Sequence, residues 1–412
     1  MRPQLPGLAP ARAGAWLLAL LVAAALHGDV AARERGTALV DEVQELVQKH
    51  FYDPEAIRGF EAETERGRKA VQSGTAPDDA VARLLRSLEA SHTGRYTPDQ
   101  IEYYELMDIF RPGGKQRQAL FPPEGNVTYA GIGIAPRVID ERSFVGHVYH
   151  GSPAEQAGLR TGDEILTVDG KPYQPVDAFA GKAGRQAAVQ VRRKQDEPPI
   201  TLDVPVATIE PNDMFRHAIR SSARVIERDG RRIGYVRIWS YAARGVEQVL
   251  TELLSSAPLK DADGLVLDLR SRWGGAPADA AEMFIGRSRD MTFIDRGGKE
   301  TAVNARWRKP VVAIIDQGTR SGMEILAYSL KHAGIPLIGT RTAGAVLAGR
   351  GFLLEDNSLL LLAVADVKVD GARLEGAGVS PDIEVGHDIR YAAGADPQFE
   401  RALAEIAGRL TR

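Results

Sequence analysis

The sequence predicts a multidomain α+β protein: a small helical module, a small β-rich unit, and a layered α/β core. Three observations carry that prediction. Apolar residues recur at helical spacing between positions 37 and 90; residues 128 to 207 read as short strands broken by tight turns; and from Arg232 onward β-branched runs alternate with helical patterns. At 412 residues the chain can bury two or three separate cores.

The helical module rests on Leu39, Val43, Leu46, Val47 and Phe51, and on Asp78 to Leu88 behind the start signal of Pro77. Gly113-Gly114 through Pro122-Pro123 reads as a breaker-rich link. The β-rich unit follows, with Asp140-Glu141 and Asp169-Gly170 as turns. In the core, the expected order is a strand over Ile233–Ile238, a helix near Gly245–Ser255, a strand over Gly264–Leu269 and a helix near Ala276–Phe284. A strand over Val311–Ile315 comes next, then a helix from Ser321, a strand over Ile335–Gly339 and a hairpin through Leu353–Val367. An amphipathic helix around Phe399–Leu410 closes the chain.

The N-terminus has the pattern of an export signal. Arg2 and Arg12 precede an apolar run over residues 13–26, and Val30-Ala31-Ala32 offers small residues for cleavage after Ala32. The run is shorter than the roughly 20 residues a spanning helix needs, so no integral span is expected after cleavage. Loss of Arg2, Arg12 and Asp29 from 52 basic and 55 acidic residues moves the formal charge from −3 to −4. Nothing in that balance favours nucleic acid or an anionic membrane. There is no cysteine, so neither disulfides nor thiol chemistry serve this chain. A periplasmic or otherwise exported location follows as the expectation. The sequence has no Walker loop, zinc pattern or dinucleotide fingerprint, and neither a cofactor nor a metal is expected.

The residues that point to chemistry begin at Val311-Val-Ala-Ile-Ile-Asp-Gln-Gly-Thr-Arg-Ser321-Gly322-Met-Glu-Ile-Leu, where an apolar strand breaks at Gly318 and a helical pattern starts at a serine. A strand-to-helix corner exposes the Ser321 hydroxyl and leaves backbone N–H groups free beside it. Serines at helix starts also serve as simple caps. A serine nucleophile needs a base and an oxyanion site. Gly274-Gly275, expected to open a helix after a buried strand, offers bare N–H groups for an oxyanion together with Gly322. Ser91-His92 offers an imidazole next to a hydroxyl. Glu375, in a glycine-rich loop, could orient that imidazole.

These motifs, taken in order along the chain, resemble the carboxyl-terminal processing (tail-specific) serine protease family. The resemblance runs through the His92 segment, Leu267-Asp-Leu-Arg270…Gly274-Gly275, the Ser321 corner, Gly339-Thr-Arg-Thr-Ala-Gly344 and Gly376-Ala-Gly-Val-Ser-Pro-Asp-Ile-Glu-Val385. Residues 129 to about 206 look like a PDZ domain. Gly131-Ile132-Gly133-Ile134 resembles the loop that holds a peptide C-terminal carboxylate, and Gly151 to Gly170 resembles the segment after it. The resemblance implies a signal peptide over 1–32, an N-terminal helical module over 33–112, a PDZ-like domain over 119–208, a serine protease core of the crotonase and Clp type over 209–390, and a C-terminal helix over 391–412. It also implies polypeptide substrates, loosely folded or unfolded. Oligomeric state and any adaptor stay open.

The sequence departs from the commonest family pattern at one place. Where many members carry a base lysine in Thr-Phe-Gly-Lys, this chain has Thr342-Ala343-Gly344-Ala345, and Lys331 lies about 15 Å along the helix from Ser321. The branch similar to the tricorn core instead uses a histidine ahead of the PDZ domain and a late glutamate. His92 matches the first and Glu375 the second, with Asp382 and Glu384 as neighbouring alternatives. On that reading Ser321 is nucleophile, His92 base and acid, and Glu375 the orienting carboxylate, acting through Ser91. The competing reading is a catalytically inactive relative that holds peptides as a scaffold.

Overall fold

The computed structural model describes residues 13–270, 272–286, 291–303 and 307–411. Of the export segment expected over 1–32, residues 1–12 lie outside the described residues, and the rest forms the start of a helix, Ala13–His50. Its later turns bury Leu39, Val40, Val43 and Val47 against Phe60–Gln72 and Pro77–Arg86. The same apolar cluster includes Leu347, Leu354, Leu360 and Leu362 from a late hairpin. The helical module therefore shares its core with a segment more than 250 residues downstream. No helix among the described residues is long and apolar enough to cross a membrane.

That shared core fixes the loop that carries His92. Immediately after it, the short strand Gly94–Tyr96 adds to the hairpin Ala348–Leu353/Leu359–Ala365 as a third strand, with Gly94 opposite Leu361 and Tyr96 opposite Leu359. Backbone pairing thus ties the early loop to the late core.

The β-rich unit is an antiparallel sheet in the order Ile134–Ile139, Arg142–Val148, Glu164–Val168, Gln186–Arg192, Ile200–Pro205, around its own core of Val145, Ile165, Val189, Val191 and Val204. Its first strand is an edge: one side pairs with Arg142–Val148 and, among the described residues, the other meets no strand. The α/β core holds six strands in the order Arg224–Arg228, Arg231–Arg237, Gly264–Asp268, Val311–Ile315, Leu337–Gly339, Ile383–Glu384, all parallel except the first pair. Alternate residues feed the two faces, as strand geometry requires. Tyr235, Val266, Val312 and Ile314 pack under the C-terminal helix Pro397–Leu410, while Val236, Leu267, Ala313 and Ile315 pack under the helices on the opposite face. Burial on both faces explains the unbroken apolar runs.

Four local readings change. The link at 113–123 contains a helix, Gly114–Leu120. The hairpin starts earlier than Leu353, at Ala348. Helices Ile101–Phe110 and Pro211–Ser222 fill stretches to which the sequence reading gave no element. The helix expected over Ala276–Phe284 shrinks to Glu282–Ile285, so Gly274-Gly275 opens a loop. Gly275 sits at φ 91° and Pro277 disfavours helical geometry in the residue before it, which together block a helix start there.

Candidate active site

Ser321 stands at the N-cap of Gly322–His332, but its hydroxyl caps nothing. Its backbone lies at φ 56°, ψ −134°, a conformation that costs a non-glycine residue on the order of 1–3 kcal/mol. The surroundings hold it there. Ser321 N donates to Ala345 O at 2.8 Å, Ser321 O accepts from Glu324 N at 2.8 Å, and the buried Thr319 hydroxyl ties the preceding turn to Leu269 O at 3.0 Å. The sequence sets a simple cap against a nucleophile at this corner; the strained backbone and unspent hydroxyl fit the nucleophile.

Three glycines close around that hydroxyl. A Cβ on Gly274 would fall 2.4 Å from Ser321 Cβ, and one on Gly322 would fall 2.5 Å from Ala276 N and 3.0 Å from Gly275 N. The glycine-glycine turn and the helix start interlock only without side chains. The N–H groups of Gly275 and Gly322 make no hydrogen bond among the described residues. They supply two uncommitted donors beside the serine.

On the facing wall, four hydrogen bonds converge on Glu375. Ser91 N donates at 3.1 Å, Ser91 Oγ at 2.9 Å, Val346 N at 2.7 Å and Leu347 N at 3.2 Å. Ser91 Oγ also lies 3.0 Å from His92 Nδ1. A hydroxyl has one proton, and the carboxylate takes it, so Ser91 Oγ must accept from Nδ1–H. That fixes the tautomer and leaves His92 Nε2 with a free lone pair. Burial pushes the His92 pKa down to about 4, helped by the nearby Arg320 cation and opposed by Glu375. His92 itself is at φ 52° and packs where a side chain on Gly349 would meet its ring at 3.0 Å.

The two walls belong to one neighbourhood: Ser321 is bonded to Ala345, the next residue is bonded to Glu375, and Arg320 lies close enough to act on His92. Ser321 and His92 are nonetheless not hydrogen-bonded to each other. Asp382 and Glu384, the alternatives to Glu375, stand elsewhere. Asp382 accepts from Leu337 N and pairs with Lys331 at 3.0 Å, and Glu384 lies on the edge strand of the core sheet.

The sequence reading missed Glu324. This fully buried carboxylate accepts from Thr342 Oγ1 at 2.5 Å, Gly344 N at 2.8 Å and Ala345 N at 2.7 Å. It clamps the Thr342–Ala345 turn, the segment where many relatives carry a lysine. The signal was present as Ser321-x-x-Glu324, a capping-box spacing whose glutamate here also reaches a distant turn. Among the described residues no three histidine or carboxylate groups gather as a metal site.

Comparison with known proteins decides what this assembly is. Residues 232–385 match peptidase family S41, and residues 130–206 match the PDZ domain. Residues 232–385 thus form a peptidase family S41 core. It is 28% identical over 349 residues to the carboxyl-terminal-processing protease of Synechocystis sp., across 80% of this chain and 76% of that one. The photosystem II D1 C-terminal processing protease shares the fold at TM-score 0.50 and 21% identity, covering 88% of this chain and 98% of that one. The tricorn protease shares it at TM-score 0.53 and 19% identity, covering 92% of this chain and 37% of that one.

In the PDZ domain, Gly131 pairs with Ala207, and Ile132 and Ile134 bury their side chains in the domain core. Gly133, at φ 81°, leaves no room for a side chain against Ser152. These four residues can offer a ligand only their backbone. The free edge strand that follows them borders a cavity of about 840 Å³. From Ala135–Val138 the cavity runs to Trp273, Gly318 and Arg320, next to Ser321. Behind it, the buried Glu105 accepts from Tyr149 Oη at 2.9 Å, Trp273 Nε1 at 2.8 Å and Arg272 Nε at 2.5 Å. One carboxylate joins the N-terminal module, the PDZ domain and the glycine-glycine turn.

Proposed function

We propose that this protein is an exported serine endopeptidase that hydrolyses loosely folded or unfolded polypeptides, with Ser321 as nucleophile and His92 as its base. The observation that carries this reading is the Glu375–Ser91–His92 chain, which leaves a neutral imidazole with an open Nε2, together with the unspent hydroxyl of Ser321 on its strained backbone. His92 Nε2 takes the Ser321 proton as Oγ attacks the scissile carbonyl carbon. The N–H groups of Gly275 and Gly322 receive the oxyanion. His92 returns the proton to the leaving amine, then takes one from water as it opens the acyl-enzyme. Nδ1–H stays on Ser91 Oγ throughout, so the positive charge that appears on the ring faces Glu375 through one hydroxyl.

The PDZ edge strand would add an extended peptide, and its terminal carboxylate would meet backbone N–H groups of Gly131–Ile134. A cavity that continues from that edge to Arg320, the residue before Ser321, suits an extended chain. The apolar segment after Arg2 and Arg12 supports export. Incubation with an unstructured protein tests the reading: the native chain should cleave it and react with a fluorophosphonate, and Ser321→Ala should do neither.

The absent Ser321–His92 hydrogen bond favours a second reading, a peptide-holding scaffold that has lost turnover. A native chain that binds peptide yet neither cleaves nor labels at Ser321 would establish it.

A further inference from the structure

Five arginines line the cavity between the PDZ edge and Ser321, and three of them are committed. Arg270 is bound to Asp268 and Asp396, Arg272 to Glu105 and Glu102, and Arg237 to Arg270 O and His147. The other two, Arg137 and Arg320, make no hydrogen bond or ion pair among the described residues. Arg137 is exposed on the PDZ edge strand, whereas Arg320 is half-buried and directly precedes the nucleophile. Its guanidinium lies 5.7 Å from the centre of the Trp273 ring, whose other neighbour, Arg272, is neutralised by two carboxylates. A half-buried cation that makes no ion pair among the described residues, one residue from the reacting hydroxyl and facing the cavity, is open to an anion from the ligand.

We propose that Arg320 is a substrate-carboxylate subsite, so that the enzyme prefers an acidic group within about two residues of the scissile bond. The reach follows from the ~3.3 Å rise of an extended chain and the position of Arg320 next to Ser321. The acidic group is a carboxylate, either an Asp or Glu side chain or the terminal carboxylate of the substrate itself. This rests on the protease reading above. The same contact has a second effect. Arg320 weakens His92 as a base, and a bound carboxylate would offset that cation. An acidic substrate therefore gains in kcat as well as in KM.

The test uses the full chain and matched unstructured peptides that carry Glu, Gln or Lys next to one cleavage site, each with a free or an amidated C-terminus. The native protein should cleave the Glu peptide with kcat/KM about tenfold above the Gln peptide, and the Lys peptide more slowly still. Arg320→Gln should bring the Glu/Gln ratio to about one, and Arg320→Lys should restore part of it. A ratio that persists with amidated ends assigns the subsite to the side chain. A dependence on the free end alone assigns it to the terminal carboxylate. Cleavage of all peptides at similar rates would overturn the subsite and leave the protease reading standing. No cleavage of any peptide by the native protein would overturn both.

Discussion

At the residue scale, the chemistry hangs on which atoms hold protons. Ser91 can pass only one proton, so removing the acceptor at Glu375 frees the hydroxyl to turn toward His92 Nδ1 and favours the wrong tautomer. Glu375→Ala is expected to lower kcat by about 100-fold with little change in KM, measured on an unstructured protein. The pH profile follows from the depressed imidazole. Below about 4 the ring of the free enzyme is protonated and cannot accept from Ser321; above it, the ring is neutral. kcat/KM should therefore hold as pH falls through 6.5, the ordinary histidine value, and drop only toward 4. An acid limb centred near 6.5 would show that burial does not govern this base. Folding stability, by contrast, falls as pH drops from about 6.5 to about 4, because over that range the unfolded chain takes up a proton that the buried ring refuses.

At the element scale, the strand-to-helix corner and the glycine-glycine turn form one unit. Gly274→Ala would drive a methyl to 2.4 Å from Ser321 Cβ and displace Ser321; kcat should fall at least 100-fold while thermal unfolding shifts by about 1–3 kcal/mol. Much of this unit was readable in the sequence. The apolar run before Gly318, the serine at a helix start and the paired glycines each have a local signature. What the sequence concealed were contacts made at long range. Glu324 reads as a first-turn acid, and only the fold brings Thr342–Ala345 onto it. The helix expected after Gly275 failed for a local reason, since Gly275 takes a left-handed turn and Pro277 follows. Helix Ile101–Phe110 went unread, and it carries Glu105.

Across the whole molecule, the late hairpin is completed by an early strand, and Glu105 binds three modules at once. Burial pushes the Glu105 carboxyl up against the pull of Arg272, so the site is stable only while its donors stay in place. Glu105→Ala leaves Arg272 partly uncompensated and should cost about 3 kcal/mol, read as an earlier thermal transition. The order of motifs in the sequence pointed to the module types, and their assembly around one buried carboxylate was invisible because Glu105, Tyr149 and Trp273 are far apart along the chain. The same long-range closure ties the His92 loop to Glu375, which holds Val346 next to the residue bonded to Ser321. The most direct measurement is the rate at which His92→Ala cleaves an unstructured polypeptide, with circular dichroism confirming an intact fold. The account predicts a loss as deep as that of Ser321→Ala. Activity close to native in the His92 variant, with Ser321→Ala inactive, would contradict it.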